Sequence, residues 1–215
     1  LNILPSDSAK SIFLDFEGVM SYAMVWVNGS LAGGWPYGYN SWRIDITPYV
    51  HFGSENQIAV RVDNPNNSSR WYPGAGIYRN VWMVKTNPIH IGQWGTYITA
   101  KNITKSSATL DLEVTIENGK KSAADISINT SVYEIKTDGS RKSKSVVDFP
   151  EVLLEVSAKN INKEIISVDL KNPKLWGPRP SQTPNLYLAV TTLTQNGKII
   201  DRYETRFGIR QVEFN

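Results

Sequence analysis

The sequence predicts an all-β protein built from two β-sandwiches in series, on three observations. Apolar residues recur at every second position through most of the chain, and no stretch carries amphipathic-helix spacing. Turn dipeptides, Asn28-Gly29, Asn118-Gly119, Asp138-Gly139 and Asn196-Gly197, punctuate those runs. The texture changes between Thr86 and Gly92, from Trp, Tyr and Gly before to Lys, Ser, Ile and Val after. The boundary falls at Gly92, giving domains of residues 1–92 and 93–215.

Each element follows from its residues. Leu1 to Lys10 is a loop broken by Pro5, Ser6, Asp7 and Ser8. Ile12, Leu14 and Phe16 alternate with Phe13, Asp15 and Glu17 in a first strand that ends at Gly18. Ala23 to Val27 is a second strand, closed by the Asn28-Gly29 hairpin. A Gly/aromatic loop follows, Gly33-Gly34-Trp35-Pro36-Tyr37-Gly38-Tyr39, then a short extended run from Trp42 to Ile46. Ile58, Val60 and Val62 point inward, with Arg61 and Asp63 outward. A loop leads from Asn64 to Asn80, and Val81 to Lys85 leaves it as a strand. In the second half Leu110, Leu112, Val114 and Ile116 alternate cleanly, as do Val152, Leu154 and Val156, then Ile166, Val168 and Leu170. Ile126 to Ile135 is extended, and Arg141 to Ser145 is a solvated loop tip. Leu186 to Leu193 and Ile199 to Phe207 pair across Asn196-Gly197.

The chain has 215 residues, 40% hydrophobic and 20% charged, enough to build packed cores. Its net charge of +3 is spread along the chain, which argues against a nucleic-acid partner. Cysteine is absent and there are two histidines, so neither a disulfide framework, a thiolate centre nor a His-rich metal site is expected, and no cofactor is implied. No apolar run is long enough to span a bilayer. The chain begins at Leu1 without a signal-like segment, which favours a piece cut from something larger. Asn-x-Ser/Thr triplets, those at Asn28, Asn67, Asn102 and Asn129 among them, match the glycosylation pattern, which arises readily by chance.

Paired carboxylates are the first chemistry to look for. Asp15 and Glu17 stand on one strand face, about 6–7 Å apart at strand rise, and read as an exposed strand face rather than a cleft. Asp45 and Asp63 sit at turns. Alternation places His90 outward between Ile89 and Ile91, and His51 lies in a turn. No nucleophile elbow, phosphate loop or nucleotide fingerprint occurs, and no catalytic residue is assigned. Arginine and aromatics in loops remain: Trp35, Tyr37, Tyr39, Arg70, Trp71 and Tyr72. The segment Arg70 to Trp82 gathers such residues around Pro73, Gly74 and Gly76, so it is a shaped loop. Rings can lie against the C–H faces of sugars and a guanidinium can donate to hydroxyls, although packing residues and protein interfaces use the same types.

The blocks Phe16-Glu17-Gly18-Val19, Val25-Trp26-Val27-Asn28-Gly29, Asp45-Ile46-Thr47 and Trp71 to Val81 resemble the N-terminal domain of glycoside hydrolase family 2. That family includes β-galactosidases, β-glucuronidases and β-mannosidases. Pro173-x-Leu175-Trp176, Pro184-Asn185-Leu186-Tyr187 and Phe207-Gly208-Ile209-Arg210 look like the end of its immunoglobulin-like domain. The resemblance implies a galactose-binding-like jelly roll, here lacking its earliest strands, then an immunoglobulin-like sandwich, then a TIM barrel with two catalytic glutamates beyond Asn215. It implies a retaining exo-glycosidase, β-galactosidase-like, as the parent. The chain alone would be inactive, with the parent's barrel and a β-galactoside-like carbohydrate as partners. In the family, the loop before the Gly-Ile-aromatic-Arg block reaches the rim of the active site. By that resemblance Arg70, Trp71 and Tyr72 are the substrate-binding candidates. Some members carry an acidic residue before the tryptophan, where this chain has Arg70. Arg79 is expected to bond within the sandwich, and Gly76 to serve conformation. A free-standing carbohydrate-binding module and a two-sandwich adhesion or scaffold protein are the alternative readings. A periplasmic or extracellular setting is favoured over the cytoplasm. A truncated jelly roll would expose apolar sheet edge, so self-association is expected.

Overall fold

The computed structural model describes residues 1–66 and 74–211, and they form two compact units, Leu1–Pro88 and Ile89–Asn215. In the first unit the strands are β1 (Asn2–Ile3), β2 (Ser11–Phe16), β3 (Val19–Met20), β4 (Ala23–Val27), β5 (Ser30–Trp35), β6 (Trp42–Asp45), β7 (Ser54–Glu55), β8 (Ile58–Arg61), β9 (Gly76–Ile77) and β10 (Val81–Thr86). In the second they are β11 (Ile89–Lys101), β12 (Ser107–Asn118), β13 (Ala124–Glu134), β14 (Val147–Asp148), β15 (Val152–Val156), β16 (Asn160–Lys171), β17 (Tyr187–Gln195) and β18 (Lys198–Phe207). The helices among the described residues are two single 3-10 turns, Pro5–Asp7 and Thr47–Tyr49, each with proline in its first turn. No helix among them is long and apolar enough to cross a membrane. The protein is therefore all-β, as its alternation predicts.

In the first unit the antiparallel sheets β10-β2-β6 and β5-β4-β8 enclose one core. Leu14, Phe16, Val25, Val27, Trp42 and Ile44 meet in a single buried cluster drawn from both sheets. Phe16 and Trp42 stack with ring centres 4.4 Å apart. The small sheets β1-β7 and β3-β9 tie down the ends. The Asn28-Gly29 hairpin forms with both residues at positive φ, 49° and 82°, the geometry that makes this dipeptide favoured between two strands. Asn28 also works as a tie. Its amide donates to the Tyr49 carbonyl and to Asn56 Oδ1, and its Oδ1 accepts from the Gln57 N–H.

One edge of this sandwich is uncovered. On β10, Val81 and Met83 pair with buried Phe16 and Leu14, so they share the core-facing side, yet they are 41% and 36% exposed. Across the sandwich Ile58 and Val60 of the edge strand β8 are only half-buried.

In the second unit β11-β12-β16 faces β14-β13-β17-β18, with β15 also paired to β13. The alternation on β12 is complete, and Ala108, Leu110, Leu112, Val114 and Ile116 are fully buried. After Asn118-Gly119 the chain does not fold back beside β12 but crosses to the other sheet. Asn118 is buried and secures this crossing, its amide donating to the carbonyls of Ser122, Val156 and Ser157. Asn196-Gly197, at φ 51° and 73°, closes the β17–β18 hairpin as expected. Between Ile91 and Thr96 the β11 ladder shifts register in a bulge, with Trp94 at φ 50°.

His90 is a correction. It is 3% exposed and not turned to solvent, and its Nε2 lies 3.6 Å from the Glu117 carboxylate across the ladder. Alternation assumes one wet face, whereas Ile89, His90 and Ile91 are all buried.

Candidate functional site

Three stretches of the first unit converge: residues 17–22, 35–41 and 74–80. The third starts with Gly74 and Gly76 at φ 69° and 106°, which a side chain would strain, so Gly76 serves conformation as expected. It then joins the sandwich through β9, where Gly76 pairs with Met20 and Ile77 with Val19. Tyr78 is the clasp. Its hydroxyl donates to the Gly38 carbonyl at 2.7 Å, and its ring lies over Gly18, where a Cβ would stand 2.6 Å from the ring. Gly38 in turn packs on Met20, whose methyl carbon would be 2.7 Å from any Cβ there. The Phe16-Glu17-Gly18-Val19 block and the Trp35–Tyr39 loop therefore need their glycines because side chains from elsewhere occupy that space.

Around this clasp the aromatics are presented, not packed. Tyr22, Trp35, Tyr37 and Tyr39 are all exposed. The Trp35 indole N–H donates to Asn40 Oδ1 at 2.8 Å, and Tyr37 meets Tyr39 edge-on at 5.6 Å. Trp42, by contrast, is the tryptophan that fills the sandwich. Arg70, Trp71 and Tyr72, the sequence-derived substrate contacts, lie outside the described residues.

The paired-carboxylate question is settled by partners. Asp15 accepts a two-pronged bond from Arg43 on β6, at 2.6 and 2.7 Å, and Glu17 accepts from the Trp82 indole N–H at 2.8 Å. Their face is half-buried, not open as the sequence suggests, because the Arg43 and Trp82 side chains cross it. Both carboxylates are structural cross-links of the β10-β2-β6 sheet. Arg79 also departs from expectation. It is exposed, with its guanidinium over the Tyr78 ring at 5.5 Å, instead of bonding inside the sandwich. Among the described residues no three His, Cys, Asp or Glu side chains gather to hold a metal. What the convergence offers is surface: ring faces and a shaped loop, suited to binding.

Displaced protonation equilibria surround Glu134 in the second unit. Hydrogen bonds from Lys142 and then Lys174 hold the Glu134 carboxyl below the ordinary glutamate range, and Glu134 raises Lys174 in return. Burial pushes the Tyr187 phenol up, against the Lys174 N–H that donates to its oxygen. Hydrogen bonds from Lys101 and Ser167 lower Asp111. These groups clasp strands and loops.

Comparison with known proteins adds a family context. Residues 89–210 match the model of glycosyl hydrolases family 2, and residues 2–105 match that of the glycosyl hydrolase 2 galactose-binding domain-like region. The β-galactosidase BoGH2A of Bacteroides ovatus is 36% identical over 95% of this chain, which spans 23% of that protein. A β-glucuronidase of Formosa agariphila is 31% identical over 97% of the chain, spanning 22% of its length. A crystal structure of a glycosyl hydrolase family 2 member from Bacteroides cellulosilyticus superposes on the whole chain with a TM-score of 0.89 at 32% identity, and the chain covers 26% of it. The chain thus spans about a quarter of the length of such relatives.

Proposed function

The chain belongs to glycosyl hydrolase family 2, and from that membership we propose that it is the non-catalytic front portion of a retaining β-glycosidase, β-galactosidase-like, whose loop Arg70–Tyr72 rims an active site built by a downstream barrel. The observation that carries this reading is the state of the carboxylates. Asp15 and Glu17, the pair beside the aromatic rim, serve as cross-links to Arg43 and Trp82 within the sheet. The rim stretches are instead fixed in place by Tyr78, Gly18 and Gly38, which is what a positioning surface needs. In this reading Arg70 donates to a substrate hydroxyl or to a barrel carboxylate at the edge of the site.

Arg70→Ala in the longer protein tests it. The expected result is a fall in kcat/KM of about tenfold, as for loss of one charged hydrogen bond, with an unchanged melting temperature. Unchanged kinetics on aryl β-galactosides and aryl β-glucuronides would remove Arg70 from the site. Glycoside cleavage by the 215-residue chain alone would overturn the non-catalytic assignment.

A further inference from the structure

Beyond β13, in the second unit, the chain turns at Asp138-Gly139 and returns beside the strand it has just left. Ile135 and Arg141 pair in a bridge, the Lys142 N–H donates to the Glu134 carbonyl at 2.9 Å, and the Val146 N–H donates to the Val132 carbonyl at 2.8 Å. Gly139 takes φ 83°, and Asp138 Oδ1 accepts from both the N–H and the hydroxyl of Ser140, so the acid of this turn is engaged in holding it. The return encloses a hollow of about 510 Å³ lined by Lys136, Arg141, Lys142, Ser143 and Lys144. Every charged side chain of that lining is a cation. Two of them are held: the Arg141 guanidinium lies over the Tyr133 ring at 4.4 Å, and Lys142 pairs with Glu134. The other two, Lys136 and Lys144, are exposed, and neither has a side-chain hydrogen bond or salt bridge among the described residues. The solvated tip read from the sequence is thus a shaped turn that gathers like charges around one space, where an anion relieves their repulsion.

We propose that this hollow is an anion site for the sulfate esters of a sulfated polysaccharide, gripped by Lys136 and Lys144 together with Lys142 and Arg141. The choice of a glycan rests on the reading above, and the inference adds to it a site in the second unit and a charged ligand class. The lining selects the anion. Three of its four cations are lysines, compact charges whose three donors rotate freely, which suits the evenly spread oxygens of a tetrahedral sulfate. A planar carboxylate is better matched by the arginine fork, of which the hollow has one. A lone inorganic ion would leave most of these charges unmatched, whereas a chain with several sulfates meets them together. A nucleic acid has the charge, but single strands are held by bases stacked on rings, and no ring lines the hollow; the nearby Tyr133 face is covered by Arg141.

Calorimetric titration of the 215-residue chain with carrageenan oligosaccharides, the same oligosaccharides after desulfation, oligogalacturonate, linear polyphosphate and oligo(dT) provides the test. Saturable binding of the sulfated oligosaccharide is expected at about 0.15 M salt, weakening as salt is raised, with none of the desulfated form. Lys136→Ala with Lys144→Ala should weaken it about tenfold, the sum of two exposed charge contacts. Neither lysine has a partner to lose, so the melting temperature should stay put. Lys121→Ala with Lys171→Ala removes the same charge from exposed positions elsewhere and should leave binding as it was. No binding of the sulfated chain, an equal loss in both double variants, or equal binding of the desulfated form or oligogalacturonate would overturn the proposal. Preference for polyphosphate or oligo(dT) would do the same. Hydrolysis of aryl glycosides by the longer protein is a separate assay. Its failure would sink the glycosidase reading and leave the titration standing, and the converse also holds.

Discussion

Asn28 and Asn196 occupy the same dipeptide, adopt nearly the same left-handed backbone, and do different work. At Asn196 the residue serves the turn. At Asn28 the side chain also joins Tyr49, Asn56 and Gln57, which lie on the chain's return path. Asn196→Ala should therefore cost about 1–2 kcal/mol, the left-handed strain alone. Asn28→Ala should cost roughly 2 kcal/mol more, for partners left unbonded, the buried Asn56 among them. Urea denaturation compares them directly, and equal losses would refute the tying role. The turn was legible in the two letters, since it needs only positive φ. The network was not, because Tyr49 and Asn56 come beside Asn28 only when the sandwich closes. Gly95 is a second residue whose reason is tertiary. A Cβ there would meet Gly92 O at 2.7 Å and Thr115 O at 2.9 Å, both backbone atoms. Gly95→Ala should destabilise the protein by about 1–3 kcal/mol through displacement of the β11 bulge, read as a lower melting temperature.

At the scale of elements, β12 shows alternation at its most informative and the start of β11 shows where it fails. One side of β12 is core and the other is a polar ladder, so parity assigns every residue. At Ile89–Ile91 both sides are covered, and parity sends His90 the wrong way. The clasp at the end of β13 carries a pH prediction. Lys142 and Lys174 hold the Glu134 carboxyl below its ordinary value, so the folded state binds its proton less readily than the unfolded chain. Its stabilising contribution is present above the ordinary glutamate range and is lost as pH falls through the lowered folded value. Glu134→Gln should flatten the acid limb of stability against pH, measured by urea midpoints, and an unaltered limb would sink the assignment.

For the whole molecule, each unit has its own buried cluster. The first also shows Val81 and Met83, core-facing by register yet exposed, at the edge strand β10. Exposed apolar edges invite pairing. Self-association rising with concentration is expected by light scattering, and Met83→Lys should reduce it. A monomer at every concentration would count against that prediction.

The sequence by itself determined that this protein is all-β, where its main turns fall and which family its motifs resemble. Those properties live in backbone preference and period-two burial, which act between near neighbours. Only the tertiary structure decided that β12 and β13, adjacent in sequence, enter opposite sheets. It also decided that Asp15 and Glu17 are cross-links and that Tyr22 and Trp35 line one hollow. Those outcomes depend on what stands across a ladder or over a face, and the residues that meet there are tens of positions apart in the chain.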